Sequence, residues 1–582
     1  MMRRSFRFLL LVAASSGVVL GAQSPAPWSM LERPRTHVPG PTGPEISAAD
    51  LMTRLYLFAD DSMGGRLLDS RGNSLGVEYI ARELGRMGLV PAGDSGTYFQ
   101  TVPVFYRVFD STAAISASGT KLRPWTDFIP RDQGSGARSI DGVPVVYGGT
   151  WGNRASLIVP DSVAGKLVVF TLAPAGYSQG VPGTADRGVL TGLYRAAAGI
   201  AVVGLDLVPP QMLGFYQQTG QEFRRNPAAP LPSYMYITNR VAGLLLGTPV
   251  DTLRLRAGMP GQPLRGTPRF VDRPLRYPAR NVVAILKGSD PALAGEYVAM
   301  GAHNDHVGTL DVPLPHDSIY ILDHLFRQSG EDDREPALSA AQAAELNTAL
   351  AEIRRRTHGA SARPDSIFNG ADDDGSGSMG VLEIAQWFAG RPVKPKRSLL
   401  FVWHVGEEEG LYGSEYFTDH PAVPRDSIVA QLNVDMIGRG GPADVTGNTK
   451  EGARIHGDSN YVQLVGSRRL SNELGTLAET VNLEGGHHLR FDYSMDANGH
   501  PQNIYCRSDH YSYARYGIPI IFFTTGGHAD YHELTDESQY IDYDRMARVA
   551  RFVADLALHV ADLDHRPLVD QPKPDPHGDC QQ

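Results

Sequence analysis

Cysteine is scarce in this chain, which holds only Cys506 and Cys580 among its 582 residues. Two cysteines so far apart in the sequence are not a disulfide framework of the kind that stabilises small secreted domains. The sequence leaves their pairing open, because Cys506 has the character of a small buried residue. Cys580 lies in a polar tail that we expect to be loose. We therefore expect most of the stability to come from packing.

Runs of basic residues are also missing. The formal net charge is -10, and no block of lysine and arginine is long enough to follow a phosphate backbone. We expect no nucleic-acid partner, because such binding depends on concentrated positive charge. With 42% hydrophobic and 20% charged residues, the composition is that of a folded protein. A chain of this length exceeds what one core supports, so two or more domains are expected.

The apolar run near the start is too short to span a membrane as an anchor. It follows the basic segment MMRRSFR and precedes the small residues LGAQ, which is the order of a secretory signal. We predict a signal peptide over residues 1–22 and an exported product, periplasmic or secreted, without a stable membrane anchor. The alternative is that the segment stays uncleaved as an anchor.

Changes of composition along the chain predict its domains. Residues 23–45 are rich in proline and polar groups, which is typical of a linker. Short β-branched segments over 140–268 predict a small β-rich domain inserted into a main domain of residues 46–139 and 269–566. The alternative is that these strands extend the main sheet. Residues 567–582 are predicted to form a polar tail.

Near-continuous apolar segments in the main domain, such as RSLLFVWHV and GIPIIFFTT, predict strands that are covered on both faces. The fold class is therefore α/β, with a mixed, mostly parallel sheet between two layers of helices. Predicted helices include one after Ser47, one over 75–87 that stops at Gly88, and one over 545–561. The polar segment 310–368 is predicted to be a lid-like insertion with one helix over about 339–358.

Acidic residues and histidines gather in five clusters, each at or shortly after the end of a predicted strand: GAHNDHVG, NGADDDGSG, GEEEGLYGS, NVDMIGR and DYHELTD. In open α/β sheets the carboxyl ends of strands line the functional crevice. Two imidazoles and three carboxylates, one of them bridging, would give two metal ions three ligands each and leave positions open for water or substrate. One glutamate is left over to accept a proton from water.

Each cluster has an ordinary explanation when it is taken alone. An acidic triplet with glycines is typical of a solvated turn, and GEEEG is typical of the first turn of a helix. A single histidine such as His303 is most often a hydrogen-bonded loop residue. The joint occurrence of all five clusters at strand ends is what favours a metal site.

The motifs HxDH, NGADDxxSG, EExGLxGS, NxDMIG, SDH and DYHxxxD, in this order, resemble the twenty-eighth metallopeptidase family of co-catalytic zinc exopeptidases. The resemblance is strong over about 280–565, and residues 47–135 resemble the family's N-terminal portion. The 140–268 region is similar, in its strand pattern, to the protease-associated domain that many members carry. This resemblance implies a zinc exopeptidase fold.

The resemblance also implies roles for particular residues. Asp372 would bridge two Zn²⁺ ions, with another divalent metal as the alternative. His303 and Asp435 would complete the coordination of one ion, and Glu408 and His532 that of the other. The family further implies a cis peptide bond between Asp372 and the residue after it.

The remaining implied roles concern residues beside the ligands. Glu407 would be the general base, an assignment that rests on aligning the residues after GEEEG. Asp305 would orient the imidazole of His303. Asp509 and His510 match an element near the family's substrate pocket, with a packing role as the alternative. Three more histidines lie near the site in sequence without being needed as ligands: His306, His404 and His528.

The expected activity is that of an aminopeptidase acting on peptides with a free N-terminus. A carboxypeptidase is the alternative within the family, followed by a cyclase or amidohydrolase. A receptor-like binding protein on the same fold is the alternative from another class. A calcium-binding loop at DDDGSG is disfavoured, because calcium sites do not call for histidine. The sequence gives neither the oligomeric state nor the side-chain preference.

Overall fold

The computed structural model of the protein describes residues 30–31, 33–131, 136–173, 177–178, 181–182, 184–209, 213, 221–223, 230–356 and 363–582. The predicted signal peptide, 1–22, lies outside these residues, as do residues 23–29 and 32 of the predicted linker. The described part of that linker packs onto the rest of the protein, where Met30 and Leu31 join a small apolar cluster. Within the described ranges, no helix is both long enough and apolar enough to cross a bilayer.

A mixed sheet of nine strands organises the main domain. Its central strands run parallel, and three of them are buried along their whole length, as their continuous apolar sequences predict. The predicted fold class is confirmed. In spatial order the strands are Val90–Pro91, Arg280–Leu286, Ser398–His404, Tyr297–His303, Ile428–Val434, Ile520–Thr524, Tyr461–Val465 and Arg490–Asp492, with Phe99–Thr101 also paired to Arg280–Leu286.

Helices cover both faces of this sheet. Successive residues of a strand point to opposite faces, so Val282 belongs to one apolar core and Val283 to the other. Helices on the first face are Ala48–Phe58, Arg71–Met87, Gly377–Gly390, Asn472–Glu484 and Tyr543–Asp562. Helices on the second face are Tyr412–Asp419 and His510–Ala514.

The sequence signals for helices are confirmed at three places. The Ser47 side chain accepts a hydrogen bond from the Asp50 amide at 3.1 Å, which caps helix Ala48–Phe58. Helix Arg71–Met87 ends at Gly88, whose φ of 76° glycine adopts without strain. The last long helix, Tyr543–Asp562, covers the predicted 545–561.

A second, β-rich unit lies between the two parts of the main domain in sequence. Its five-stranded sheet has an apolar core on each face. Strand Phe128–Arg131 belongs to this sheet although it precedes residue 140, where the sequence placed the boundary, because it pairs with Ser233–Ile237. In spatial order the strands are Phe128–Arg131, Ser233–Ile237, Gly199–Val203, Leu167–Leu172 and Val145–Trp151, and the accompanying helices are Thr184–Leu193 and Asn239–Leu246.

Short strands form further small sheets in the described chain. These are Val104–Phe109 with Gln221–Phe223 and Phe270–Pro274; Ser116–Ala117 with Thr120–Lys121 and Leu264–Arg265; Tyr177–Ser178 with Val181–Pro182; and Val445–Asn448 with Arg454–His456. None of these short strands carries a residue of the predicted site.

The insertion after the first metal-binding motif is more structured than its polar sequence predicts. It starts and ends with the paired strands Thr309–Pro315 and Pro364–Ile367. The expected helix is present as Ala340–Arg356, and residues 357–362 lie outside the described chain. A further helix, His316–Phe326, was not predicted, and a short 3₁₀ turn, Gly330–Asp332, follows it.

The C-terminal tail is tied to the main domain. Cys506 and Cys580 form a disulfide bond, which settles the pairing that the sequence left open. The tail was expected to be loose, but Gln582 accepts a hydrogen bond from the Tyr505 amide at 3.0 Å and anchors the chain end. Local composition missed these two contacts because they join segments 74 and 77 residues apart in sequence.

A buried ion pair joins two helices of the first layer. Arg54 Nε lies 2.6 Å from Glu383 Oε2, and both side chains are fully buried. Burial raises the pKa of Glu383 to about 7 even with this arginine beside it. Removing the cation would leave a carboxylate buried without its partner, which is costly in a low-dielectric interior.

We therefore expect Arg54→Met to lower the free energy of unfolding by about 3–5 kcal/mol. Arg355→Met is the matched control, because Arg355 pairs with Glu352 on the surface and its side chain is 73% exposed. Urea unfolding followed by circular dichroism would compare the two variants. Similar unfolding midpoints for both would contradict a structural role for the buried pair.

Candidate metal centre

The predicted site residues converge at the carboxyl edge of the main sheet. His303 ends one central strand, Asp435 follows the next, and Glu408 follows a third after a short turn. His532 comes from the loop after strand Ile520–Thr524. Because carboxyl ends of parallel strands meet at one edge, four distant segments bring their polar side chains together there.

One group of ligand-type atoms surrounds the imidazole of His532. Its Nε2 lies 2.8 Å from Asp373 Oδ2 and 3.1 Å from Glu408 Oε2. The other oxygen of Glu408 lies 2.8 Å from His306 Nδ1. These four side chains are close enough together to hold one metal ion.

A second group surrounds His303. Its Nε2 lies 3.0 Å from Asp373 Oδ1 and 3.7 Å from Asp435 Oδ1. Asp374 also approaches this group, although its oxygens accept hydrogen bonds from the backbone amides of His303, Gly377 and Met436. Asp373 thus presents one carboxylate oxygen to each histidine and lies between the two groups.

Asp372, predicted to bridge the metal ions, points away from both groups. Its Oδ1 accepts hydrogen bonds from the Gly438 amide at 2.6 Å and from Ser376 Oγ at 2.7 Å. Its Oδ2 lies 3.2 Å from His528 Nε2. Asp373, one residue later, lies between the two groups instead. The sequence could not distinguish the two residues, because three adjacent aspartates leave the register of this irregular turn undetermined.

The predicted cis peptide bond is shifted in the same way. It joins Asp373 and Asp374 rather than Asp372 and Asp373. Both departures from the prediction are therefore a single shift of one residue within the aspartate run.

Backbone hydrogen bonds hold the aspartate turn in place. The Asp536 carboxylate accepts hydrogen bonds at 3.0 Å from the amides of Asp372 and Asp373. From the other side, the buried Arg66 donates to the carbonyls of Asn369 and Gly370 at 2.7 and 2.8 Å. Burial raises the pKa of Asp536 to about 6 and lowers that of Arg66 to about 10. The turn is therefore held at both ends by ionisable groups away from solvent.

Asp305 contacts both a loop and the imidazole of His303. Its Oδ1 accepts hydrogen bonds from the Gly406 amide at 2.7 Å and from the Glu407 amide at 3.2 Å. His303 Nδ1 lies 3.2 Å from the backbone carbonyl of Asp305 and 3.8 Å from its carboxylate. The carbonyl is thus the nearer partner of the imidazole, while the carboxylate fixes the start of the loop that carries Glu407 and Glu408.

Electrostatics distinguish Glu407 from its neighbours. Burial raises the pKa of Glu407 well above its usual value, and the nearby carboxylates of Glu408, Asp435 and Asp509 add to the effect against the opposing His303. Burial also acts to raise the pKa of Asp373, but His303 and His532 outweigh it and hold that pKa well below its usual range. Glu407 is therefore the better proton acceptor of the two, and Asp373 the better ligand.

Asp509 and His510 are fully buried, which favours the packing role over substrate contact. Asp509 Oδ2 lies 3.2 Å from His404 Nδ1, and the His510 ring stacks on Phe522 at 4.7 Å. Burial lowers the pKa of His510 to about 3. Their neighbour Ser508, which the sequence analysis did not single out, donates a hydrogen bond to Asp435 Oδ2 at 2.7 Å.

The three histidines that the ligand set did not need occupy different positions. His404 and His528 are buried beside Asp509 and Asp372, outside both groups. His306 belongs to the group around His532, and its Nδ1 lies 2.8 Å from Glu408 Oε1. His306 is the second histidine of the HxDH motif. The motif does not show whether this histidine binds a metal ion itself or hydrogen-bonds to a residue that does.

An arginine and a tyrosine lie at the rim of the site. The Tyr531 ring stacks on His532 with centroids 4.1 Å apart, and its hydroxyl is 3.2 Å from Arg507 Nη2. Arg507 also approaches Asp332 Oδ2 at 3.5 Å, and its side chain is 38% exposed. A positive charge is thus available beside the two groups.

A third set of metal-type side chains is already neutralised. His316, Asp365 and Glu537 lie close enough together to hold an ion. The Arg363 guanidinium, however, lies 2.7 Å from Asp365 and also contacts Glu537. Since a fixed cation compensates both carboxylates, this set has little capacity for a second cation.

Comparison with known proteins places the main domain in a family. Residues 281–557 match the family model described as peptidase family M28. Among curated proteins, leupeptin-inactivating enzyme 1 of Streptomyces exfoliatus is 42% identical over 81 residues, which cover 13% of this chain and 18% of that protein. Leucine aminopeptidase 1 of Uncinocarpus reesii is 29% identical over 201 residues, which cover 33% of this chain and 46% of that protein.

The chain thus spans less than half the length of these curated relatives. A solved structure, an aminopeptidase from Aneurinibacillus sp. strain AM-1, is 14% identical with a TM-score of 0.40, covering 91% of this chain and 97% of that one. The main domain thus combines an α/β sheet with two histidine–carboxylate groups at its carboxyl edge. Residues 281–557 of this chain belong to peptidase family M28, and the resemblance seen in the motifs is confirmed.

The two neighbouring aspartates can be separated by experiment. We expect Asp373→Asn to lower zinc affinity by at least about tenfold, because an amide cannot offer two anionic oxygens to the two groups. Asp372→Asn keeps a carbonyl oxygen toward Gly438 and should retain most of the affinity. Competition with a chromogenic chelator measures both values. A larger loss in Asp372→Asn than in Asp373→Asn would return the bridging position to Asp372.

Proposed function

We propose that this chain is an exported di-zinc aminopeptidase. The observation that carries the proposal is the position of Asp373 between two histidines, each of which has a further carboxylate beside it. Glu407, whose pKa is raised, lies next to them. His303, Asp435 and Asp373 would hold one ion. His532, Glu408 and Asp373 would hold the other, with His306 supporting Glu408. Membership of residues 281–557 in the M28 family, and relatives named leucine aminopeptidase, agree with it.

The donor set fits zinc. Imidazole nitrogens and carboxylate oxygens are the ligands of catalytic zinc sites, whereas calcium sites are built from oxygen alone. Among the described residues, His532 Nε2 is buried without a properly oriented hydrogen bond, although two carboxylate oxygens lie within 3.1 Å of it. The spacing of this nitrogen and these oxygens is compatible with their binding a shared cation.

Zinc bound there would polarise the scissile carbonyl and lower the pKa of the attacking water. The protein's own contribution is a proton acceptor held at that place. Glu407 takes the proton of the attacking water, and its raised pKa lets it pass the proton on to the leaving amine. Asp305 accepts hydrogen bonds from the start of the loop that carries Glu407 and so holds the base in place.

The proposed ions favour a substrate with a free amine. With three protein ligands each, they would leave open positions that a neutral α-amine nitrogen could occupy. The arginine at the rim, Arg507, already faces Asp332 at 3.5 Å. Arg507 is also the observation that keeps a carboxypeptidase as the second candidate, because a guanidinium that left Asp332 could bind a terminal carboxylate.

Export agrees with the cysteines as well as with the predicted signal segment. A disulfide bond between Cys506 and Cys580 is typical of an oxidising compartment and rare in reducing ones. The product would therefore act in the periplasm or outside the cell.

We expect Glu407→Gln to retain bound zinc and to lose turnover by about 10²–10⁴-fold, because it removes only the proton acceptor. Glu409→Gln is the matched control in the same loop and should remain close to the native enzyme. Metal content by atomic emission and hydrolysis of a leucine anilide measure the two effects. Near-native turnover of Glu407→Gln would remove it as the base.

Substrate polarity separates the two candidate activities. We expect peptides with a free N-terminus to be cleaved whether or not the C-terminus is amidated, and N-acetylated peptides to be resistant. The reason is that acetylation turns the amine into an amide, whose nitrogen has no lone pair available for an open metal position. Mass spectrometry of the products identifies the bond that is cut. Cleavage of N-acetylated peptides that releases the C-terminal residue would establish the carboxypeptidase instead.

A further inference from the structure

The 309–367 insertion reaches the metal centre through its 3₁₀ turn, Gly330–Asp332. The Glu331 carboxylate lies 2.7 Å from His532 Nδ1, on the side of the ring opposite to the ligand atom Nε2. An imidazole that donates its far N–H to a carboxylate has its tautomer and orientation fixed, and its ligand nitrogen becomes more basic. In the described chain, this position beside His532 is filled by the insertion and not by the main domain.

Backbone contacts fix the turn against the loop that carries His532. The Glu331 amide donates a hydrogen bond to the Tyr531 carbonyl at 3.1 Å. Gly330 has a φ of 54°, and a Cβ on it would lie 2.4 Å from the same carbonyl. The close approach of the two backbones therefore requires glycine at this point of the turn.

Buried charges lock the insertion to the residue after His532. Arg327 Nη1 lies 2.8 Å from Glu533 Oε1 and 2.8 Å from Asp323 Oδ1, and all three side chains are at most 8% exposed. Arg327 Nη2 also donates to the Gly330 carbonyl at 3.0 Å. Because Arg327 and Asp323 both belong to the insertion, opening it would break the buried Arg327–Glu533 contact.

An apolar contact completes the attachment. Tyr320 and Ile321 of the unpredicted helix pack with Ile353 of the second helix and with Tyr540 of the main domain. The insertion therefore shares a small core with the main domain, whereas a hinged lid would rest on a separable surface.

We propose that the insertion is a fixed support of the metal centre, and that Glu331 is the positioning residue that orients His532 toward the metal. This inference rests on the proposed zinc site and gives the insertion its role there. It assigns to Glu331 no contact with substrate. The insertion thus acts on the site from a fixed position, and not by opening and closing.

Zinc affinity of three variants, measured by chelator competition on the full-length protein, tests the inference. We expect Glu331→Ala to bind zinc about 10–100-fold more weakly. Glu331→Gln should recover part of the loss, since its carbonyl still accepts the Nδ1 proton. Asp332→Ala, in the same turn, should keep native zinc affinity because its carboxylate faces Arg507 and not a histidine.

The outcomes separate this inference from the proposed function. Native protein that binds no zinc would overturn both. Native protein that binds zinc, with Glu331→Ala of unchanged affinity, would overturn the role of Glu331 alone. Equal losses in Glu331→Ala and Asp332→Ala would also overturn it, because they would show damage to the turn and not the loss of one contact.

Hydrogen–deuterium exchange tests the fixed attachment independently. We expect peptides covering 318–334 and 528–536 to be protected to a similar degree, because buried ion pairs join them. Addition of a slowly hydrolysed peptide should leave the protection of 318–334 unchanged. Rapid exchange of 318–334 in the free protein that slows on addition of the peptide would show a moving lid and overturn the proposal.

Discussion

Negative charge buried at the carboxyl edge of the sheet is the constraint on which the rest of this structure depends. Asp373, Asp374, Asp435 and Glu408 belong to the two groups or lie between them, and Glu407 lies beside them. Carboxylates at such distances repel one another and lose hydration, so they are tolerated only where hydrogen bonds, histidines or cations compensate them. Each loop at this edge supplies part of that compensation.

Backbone amides supply much of the compensation. Asp305, Asp374 and Asp536 accept hydrogen bonds from the amides of neighbouring loops. A carboxylate held in this way fixes the path of the chain that supplies the amides. The hydrogen bonds that compensate the buried carboxylates therefore also position Glu407 and Asp373. The same contacts stabilise the fold at this edge and arrange the candidate site.

Much of this arrangement could be predicted from the sequence. Continuous apolar strands indicated the sheet, and the position of polar clusters at their ends indicated the edge where His303, Asp435 and His532 meet. The assignment within the aspartate run failed, because Asp372 and Asp373 are chemically identical and only the backbone of the turn decides which one faces the histidines. The role of the insertion lay beyond the sequence for a different reason. Its Glu331 is separated from His532 by 201 residues, and helix His316–Phe326 is stabilised by tertiary contacts that local propensity could not reveal.

Glu533 shows why the attachment of the insertion bears on the site itself. It directly follows His532, whose φ of 55° lies in the left-handed region that a non-glycine residue adopts only when its surroundings require it. The loop is fixed on one side by Asp536, which binds the aspartate turn, and on the other by Arg327 and Glu331 of the insertion. Since the insertion supplies one of the two restraints on this backbone, a change in its packing would alter the direction of the His532 ring before it altered any other ligand.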